Sequence, residues 1–99
     1  MERLGLEVED VLSSRGRVRV LKVLMSAGEL NVSEAVRRAG LNHSAASAHI
    51  DALKEAGLLE ERRFGRIRIL RARLEDPRVQ ALKKAFELFE LYGGGRRDR

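Results

Sequence analysis

Apolar positions along this 99-residue chain recur at helical spacing in most stretches and alternate in one. From Arg15 to Ala27, Val18, Leu21, Leu24 and Met25 fall on one face, widened by Val20 and Val23. That spacing predicts a helix started by Ser13 or Ser14 and closed by Gly28. Upstream, Val8, Val11 and Leu12 share a face within the mostly acidic residues 1–12, with Leu4 ahead of them. A short N-terminal helix is expected there, packed on another element. At the far end, Asp76-Pro77 is a helix start, with Asp as N-cap and Pro at the first turn. The helix should run to Tyr92 and end at Gly93-Gly94-Gly95. It carries two neighbouring apolar stripes: Val79, Leu82, Phe86 and Phe89, then Ala81, Ala85, Leu88 and Tyr92. One stripe suffices to dock on a small domain, so the pair predicts a homodimer, formed through Val79, Leu82, Phe86, Phe89 and neighbouring residues of this helix with the N-terminal helix.

Between these helices lies a segment with glycines at its joints, Gly28, Gly40 and Gly57. Leu30-Asn31-Val32 reads as a short strand. Ser33 is the expected N-cap of a helix whose Ala35, Val36 and Ala39 face inward and whose Arg37 and Arg38 face out. Gly40 closes that helix, and Asn42 caps the next, from His43 to about Ala56, with Ala46, Ile50 and Leu53 buried. Two helices joined by a short turn containing glycine describe a helix-turn-helix, whose second helix can enter a major groove. The exposed start of that helix offers His43, Ser44 and Ser47 as hydrogen-bonding side chains.

The alternating stretch follows. Residues 58–63 and 66–70 read as a hairpin turning at Phe64-Gly65, with Arg66 and Arg68 on one face and Ile67 and Ile69 on the core face. A phase shift at Leu70 suggests a bulge or the strand's end. Phe64 at the tip is expected to fold back onto the protein. The architecture is therefore mainly α with a small β-hairpin wing (α+β), a winged helix-turn-helix. Residues 1–92 form one domain and 93–99 a flexible basic tail.

Charge sharpens this picture by its location. Residues 1–61 carry eight basic and ten acidic side chains, a net of −2, whereas residues 62–73 carry six arginines and no acid. A local positive patch points to a polyanion partner, so double-stranded DNA is expected. The expected DNA-binding residues are Asn42, His43, Ser44 and Ser47 at the reading helix, Arg37 and Arg38 near the turn, and Arg62, Arg63, Arg66 and Arg68 on the wing.

Other chemistries find little support. With no cysteine, the chain has no disulfide, thiolate metal site or cysteine nucleophile. His43 and His49 lie six apart, off the spacing of a helical zinc pair. Phosphate-cradling glycine patterns and a nucleophile elbow are absent, so neither an enzyme nor a cofactor is expected. Without a long apolar run or a secretory signal pattern, the expectation is a cytoplasmic protein with no membrane partner.

The run from Ser14 to Pro77 resembles the winged helix-turn-helix of the ArsR-type bacterial and archaeal transcriptional regulators. The likeness rests on RVRVLKVLMSAGELNVSEA, AGLNHSAASAHIDALKEAGLL and EERRFGRIRIL. The resemblance implies a homodimer joined through its terminal helices and a palindromic DNA site. Metal-sensing members often carry Cys-x-Cys where this chain has Asn31 and Ser33, and ligands on a C-terminal helix that here lacks histidine, so metal sensing at those sites is not implied. Family members commonly carry Arg and Lys where this chain has Ala48 and Asp51. That departure keeps open an architectural or chromatin-type DNA binder of low sequence specificity, and the net −2 of residues 1–61 keeps open a winged-helix protein-interaction module.

Overall fold

Leu21, Leu24, Ile50, Leu53 and Leu70 have at most 2% of their surface exposed, and their positions fix how the elements meet. The computed structural model describes residues 6–93. The start of the expected N-terminal helix, with Leu4, and residues 94–99 of the tail lie outside them. The elements run α1 (Val8–Leu12), α2 (Arg15–Ala27), β1 (Glu29–Asn31), α3 (Val32–Ala39), α4 (His43–Glu55), β2 (Leu59–Phe64), β3 (Ile67–Ala72) and α5 (Pro77–Tyr92). Burying each large core side chain contributes about 1.5–3 kcal/mol.

α2 is the central helix, packed on α3, α4 and β3. Ser14 caps it by accepting from the Arg17 backbone N–H at 3.2 Å. Gly16 in its first turn is buried beneath the His49 ring of α4, so these helices approach closely. α3 ends with Gly40 at φ 71°, and the N–H of Leu41 returns to the Val36 carbonyl. α4 ends in the same way, with Gly57 at φ 82° and Leu58 N–H on the Leu53 carbonyl. Both closures use the left-handed backbone that favours glycine, and they set the directions in which α4 enters and β2 leaves.

Several expectations shift. Asn31, not Ser33, caps α3: its Oδ1 accepts from the Glu34 N–H at 2.8 Å. The strand before it pairs with the hairpin, giving an antiparallel sheet of order β1-β3-β2. The hairpin turn is Gly65-Arg66, since Phe64 pairs with Ile67. Gly65 at φ 63° followed by a residue of negative φ follows the pattern of a type II′ turn. Pairing is continuous from Leu59↔Ala72 to Phe64↔Ile67, so there is no bulge at Leu70.

The strand phase is the reverse of the expected one. Leu70 and Ala72 are buried and share a face with Arg68, whereas Ile67 is 55% exposed. The core grips only the base of the hairpin, and the two-residue periodicity then decides every position out to the tip. Phe64 does not fold back; it is 60% exposed, with the Arg62 guanidinium 5.9 Å from its ring centre.

The terminal helices also differ in detail. Of the α1 face only Val11 is buried, leaving Val8 and Leu12 exposed. In α5, Val79 is fully buried in the chain's own core and Leu82 and Phe86 pack against it. These three expected interface residues are largely used inside the monomer, because the start of α5 lies over the core. Further along, Leu88, Phe89, Leu91 and Tyr92 are exposed. Among the described residues no helix is long and apolar enough to cross a membrane.

Candidate nucleic-acid interface

Asn42 organises the exposed end of α4: its Oδ1 accepts from the Ala45 N–H at 2.8 Å. Asn42 is exposed. His43, Ser44 and Ser47 are exposed on the first turns, together with Ala48 and Asp51. The buried Ala46, Ile50 and Leu53 anchor the opposite side of the helix. The structure thus brings the expected reading residues to one open surface on a rigid element.

Asp51, itself exposed, also lines a crevice. A small cleft between α4 and the wing is lined by His43, Ser47, Asp51 and Arg68, with Val32, Val36 and Ile50 at its floor. The charge of Asp51 acts on Arg68, adding to the effect of Glu61 in raising the Arg68 pKa above its ordinary value.

The wing arginines are paired far more than their linear order implied. Arg68 donates Nε and Nη2 to Glu61 at 2.7 and 3.0 Å. Lys54, from the last turn of α4, donates to the same carboxylate at 2.7 Å. The Arg63 Nε lies 3.7 Å from it. On the other face, Arg62 reaches Glu29 at 3.3 Å, Arg71 bridges Glu60 and Glu75, and Arg73 meets Glu75 at 3.1 Å. The basic run of residues 62–73 thus lies against acids from β1, β2 and the loop after β3. Arg66, exposed at the turn, has no ion-pair partner among the described residues.

Arg37 and Arg38 are exposed on α3, and both are held by Glu34, Arg38 through Nε at 2.8 Å. Arg37 first and Arg38 second hold the Glu34 carboxyl at about 2. Arg19, which the sequence pattern does not single out, donates its Nε to the Ala39 carbonyl at 2.7 Å and covers the turn at Gly40. It satisfies a carbonyl at the C-terminus of α3, where a cation is favourable. An arginine twenty residues from its partner leaves no local signal. Arg19 fixes the turn that orients α4.

A family model for a helix-turn-helix domain matches residues 12–62. No curated protein matches the chain by sequence. Among solved structures, the chain is similar to a homodimeric winged helix-turn-helix DNA-binding domain from Mycobacterium bovis, a possible ArsR-family transcriptional regulator. Identity is 32% over 92% of this chain and 84% of that one, with a TM-score of 0.67. It is also similar to a possible transcriptional regulator for arsenical resistance, at 30% identity over 93% and 99% of the two chains and a TM-score of 0.62. A third neighbour, the antimony-specific transcriptional repressor AntR, shows 28% identity over 83% and 73%, with a TM-score of 0.69.

Proposed function

The chain belongs to the ArsR family of winged helix-turn-helix transcriptional regulators, DNA-binding proteins and not enzymes, and from that premise we propose that it works as a homodimer in the cytoplasm, reading a palindromic operator. The N-terminal turns of α4 enter the major groove, where His43, Ser44 and Ser47 meet base edges and the free amide of Asn42 meets a phosphate. The observation that carries this reading is the open face of α4, polar at its start and fixed by the Asn42 cap, beside a projecting hairpin.

Arg66 is the wing's principal phosphate contact, assisted by Arg62, whose pair with Glu29 is exposed and exchangeable, and by the exposed Arg63. Arg37 and Arg38 contribute where Glu34 yields them to a phosphate. Phe64 and Ile67, opposed at the tip, suit the sugar edges of a narrow minor groove. Arg68, turned toward α4, contributes to the shape of the interface.

Dimerisation uses what the core leaves open: Phe89 and its neighbours on α5, with Val8 and Leu12 of α1. Exposed large apolar residues on both terminal helices support this, as does the homodimeric state of the M. bovis neighbour. Two reading helices then face successive turns of DNA, about 34 Å apart.

A low-specificity architectural mode is the second reading, favoured by the exposed Ala48 beside the base-reading positions. Titration against operator-length duplex at two salt concentrations, with stoichiometry, tests the proposal. Two chains per duplex with steep salt dependence is the expected result, and no binding at low salt contradicts it.

A further inference from the structure

One carboxylate ties the reading helix to the wing. Glu61 lies in the middle of β2, and its side chain is only 8% exposed. It accepts from Lys54 of α4 and, in bidentate fashion, from Arg68 of β3. In the hairpin register Glu61 faces Leu70, while Arg63 faces Arg68 directly. Two like charges opposed across a sheet repel, and Glu61, diagonal to one and two residues from the other, offsets both. Toward the base, the same sheet face carries the buried Leu59, Leu70 and Ala72. Glu61 therefore sits where the hydrophobic grip on the hairpin ends and the free wing begins.

Charged groups face this point from every neighbouring strand and helix: Lys54 and Asp51 from α4, Arg63 on β2, Arg68 on β3. With Glu61 ionised, two of the three cations hold fixed hydrogen bonds to it, and the third stays nearby. Without it, three cations share one acid, and the wing keeps only its base contacts.

We propose that Glu61 is a specificity-determining positioning residue, which locks the wing at one angle to the reading helix and withholds Lys54 and Arg68 from indiscriminate phosphate contact. The inference rests on the DNA-binding reading above and deepens it. A rigid wing lets only duplexes of matching groove geometry engage base-reading and wing contacts together. Two withheld cations lower the sequence-independent part of the affinity, which comes from neutralised phosphates.

The test compares wild type, Glu61→Gln and Glu61→Gln/Arg68→Gln. Each is titrated against a duplex enriched from a random pool by the wild type and against its scrambled counterpart, at two salt concentrations. Amide hydrogen exchange of the free proteins runs alongside. For Glu61→Gln, affinity for the scrambled duplex should rise severalfold. Its salt slope should steepen by about one phosphate's worth, and the enriched-to-scrambled ratio should fall. Exchange at residues 62–68 should speed up. The double variant should return scrambled-duplex binding toward wild type. A purely structural role would instead lower both affinities together and leave the ratio unchanged, and that result overturns the inference. If wild type binds no duplex, the DNA reading fails and the exchange arm decides alone. Unchanged exchange at 62–68 then overturns the coupling, and faster exchange upholds it.

Discussion

Arg68 meets Glu61 diagonally across the hairpin, Nε to carboxylate at 2.7 Å, on the sheet face that looks toward α4. Arg66, two residues earlier, stands at the turn with no ion-pair partner among the described residues. Two arginines that look equivalent in sequence thus have different work. Replacing Arg66 with Ala should weaken binding to all duplexes alike and reduce the salt slope by about 0.9, the contribution of one phosphate contact. Replacing Arg68 should change the slope less, because its charge is already answered. Salt-dependent titrations of the two variants decide this, and equal slopes would refute the distinction.

Gly16 and His49 supply a test of the core. A methyl group at position 16 would lie 2.5 Å from the His49 Cδ2 and Nε2. The His49 Nδ1 is buried without a partner among the described residues. Gly16→Ala should destabilise the fold by about 1–3 kcal/mol, the usual cost of overpacking. Adding His49→Ala should recover part of that loss. Urea denaturation of the single and double variants measures both, and additive losses would show that the ring is not the obstacle.

Acid should unfold the protein through its carboxylate pairs. Glu61 is held at about 2 by Arg68 and then Lys54, Glu75 at about 2 by Arg71 first, and Asp76 at about 2 by Arg78 first. These values lie below the ordinary 4.5 of Glu and 3.8 of Asp. Their stabilisation is therefore complete above the ordinary values and drains as pH falls toward the folded ones. Glu75 is half exposed, so screening leaves Glu61 and Asp76 the main contributors. The urea midpoint should drop between about pH 5 and pH 2. Glu61→Gln should show a shallower drop over that window; an identical acid profile would exclude Glu61 as a contributor.

Phe89 is 71% exposed on a helix whose earlier turns are docked. Phe89→Asp should yield a folded monomer with weakened DNA binding, since avidity from two linked reading helices is lost. Sedimentation velocity checks the mass and circular dichroism the fold. A variant that stays dimeric would move the interface elsewhere.

The sequence made helices, turns and the exposed face of α4 legible because those signals are local. Asn42 as cap, Gly40 and Gly57 as closures, and the i, i+4, i+7 stripe of Ala46, Ile50 and Leu53 act within a few residues of themselves. The wing was legible as a hairpin but not in phase. Ile67 and Ile69 alternate as well as Leu70 and Ala72 do, and only contact with α2 and α4 says which pair is inside. The charge map failed for a related reason. A run of six arginines counts as +6 along the chain, yet Glu29, Glu60, Glu61 and Glu75 reach it through sheet pairing and the following loop. Net charge of a segment describes its surroundings only when partners are local.

The central claim is that α4 reads bases while the wing supplies contact with the backbone. Selection from a randomised duplex pool at two salt concentrations tests it most directly. An enriched palindrome is expected, with half-sites about one helical turn apart, roughly 10–10.5 base pairs. Substituting His43, Ser44 or Ser47 should relax its base preferences, and Arg66→Ala should leave them intact. A pool that binds without enrichment, or a motif indifferent to those three α4 residues, would contradict it.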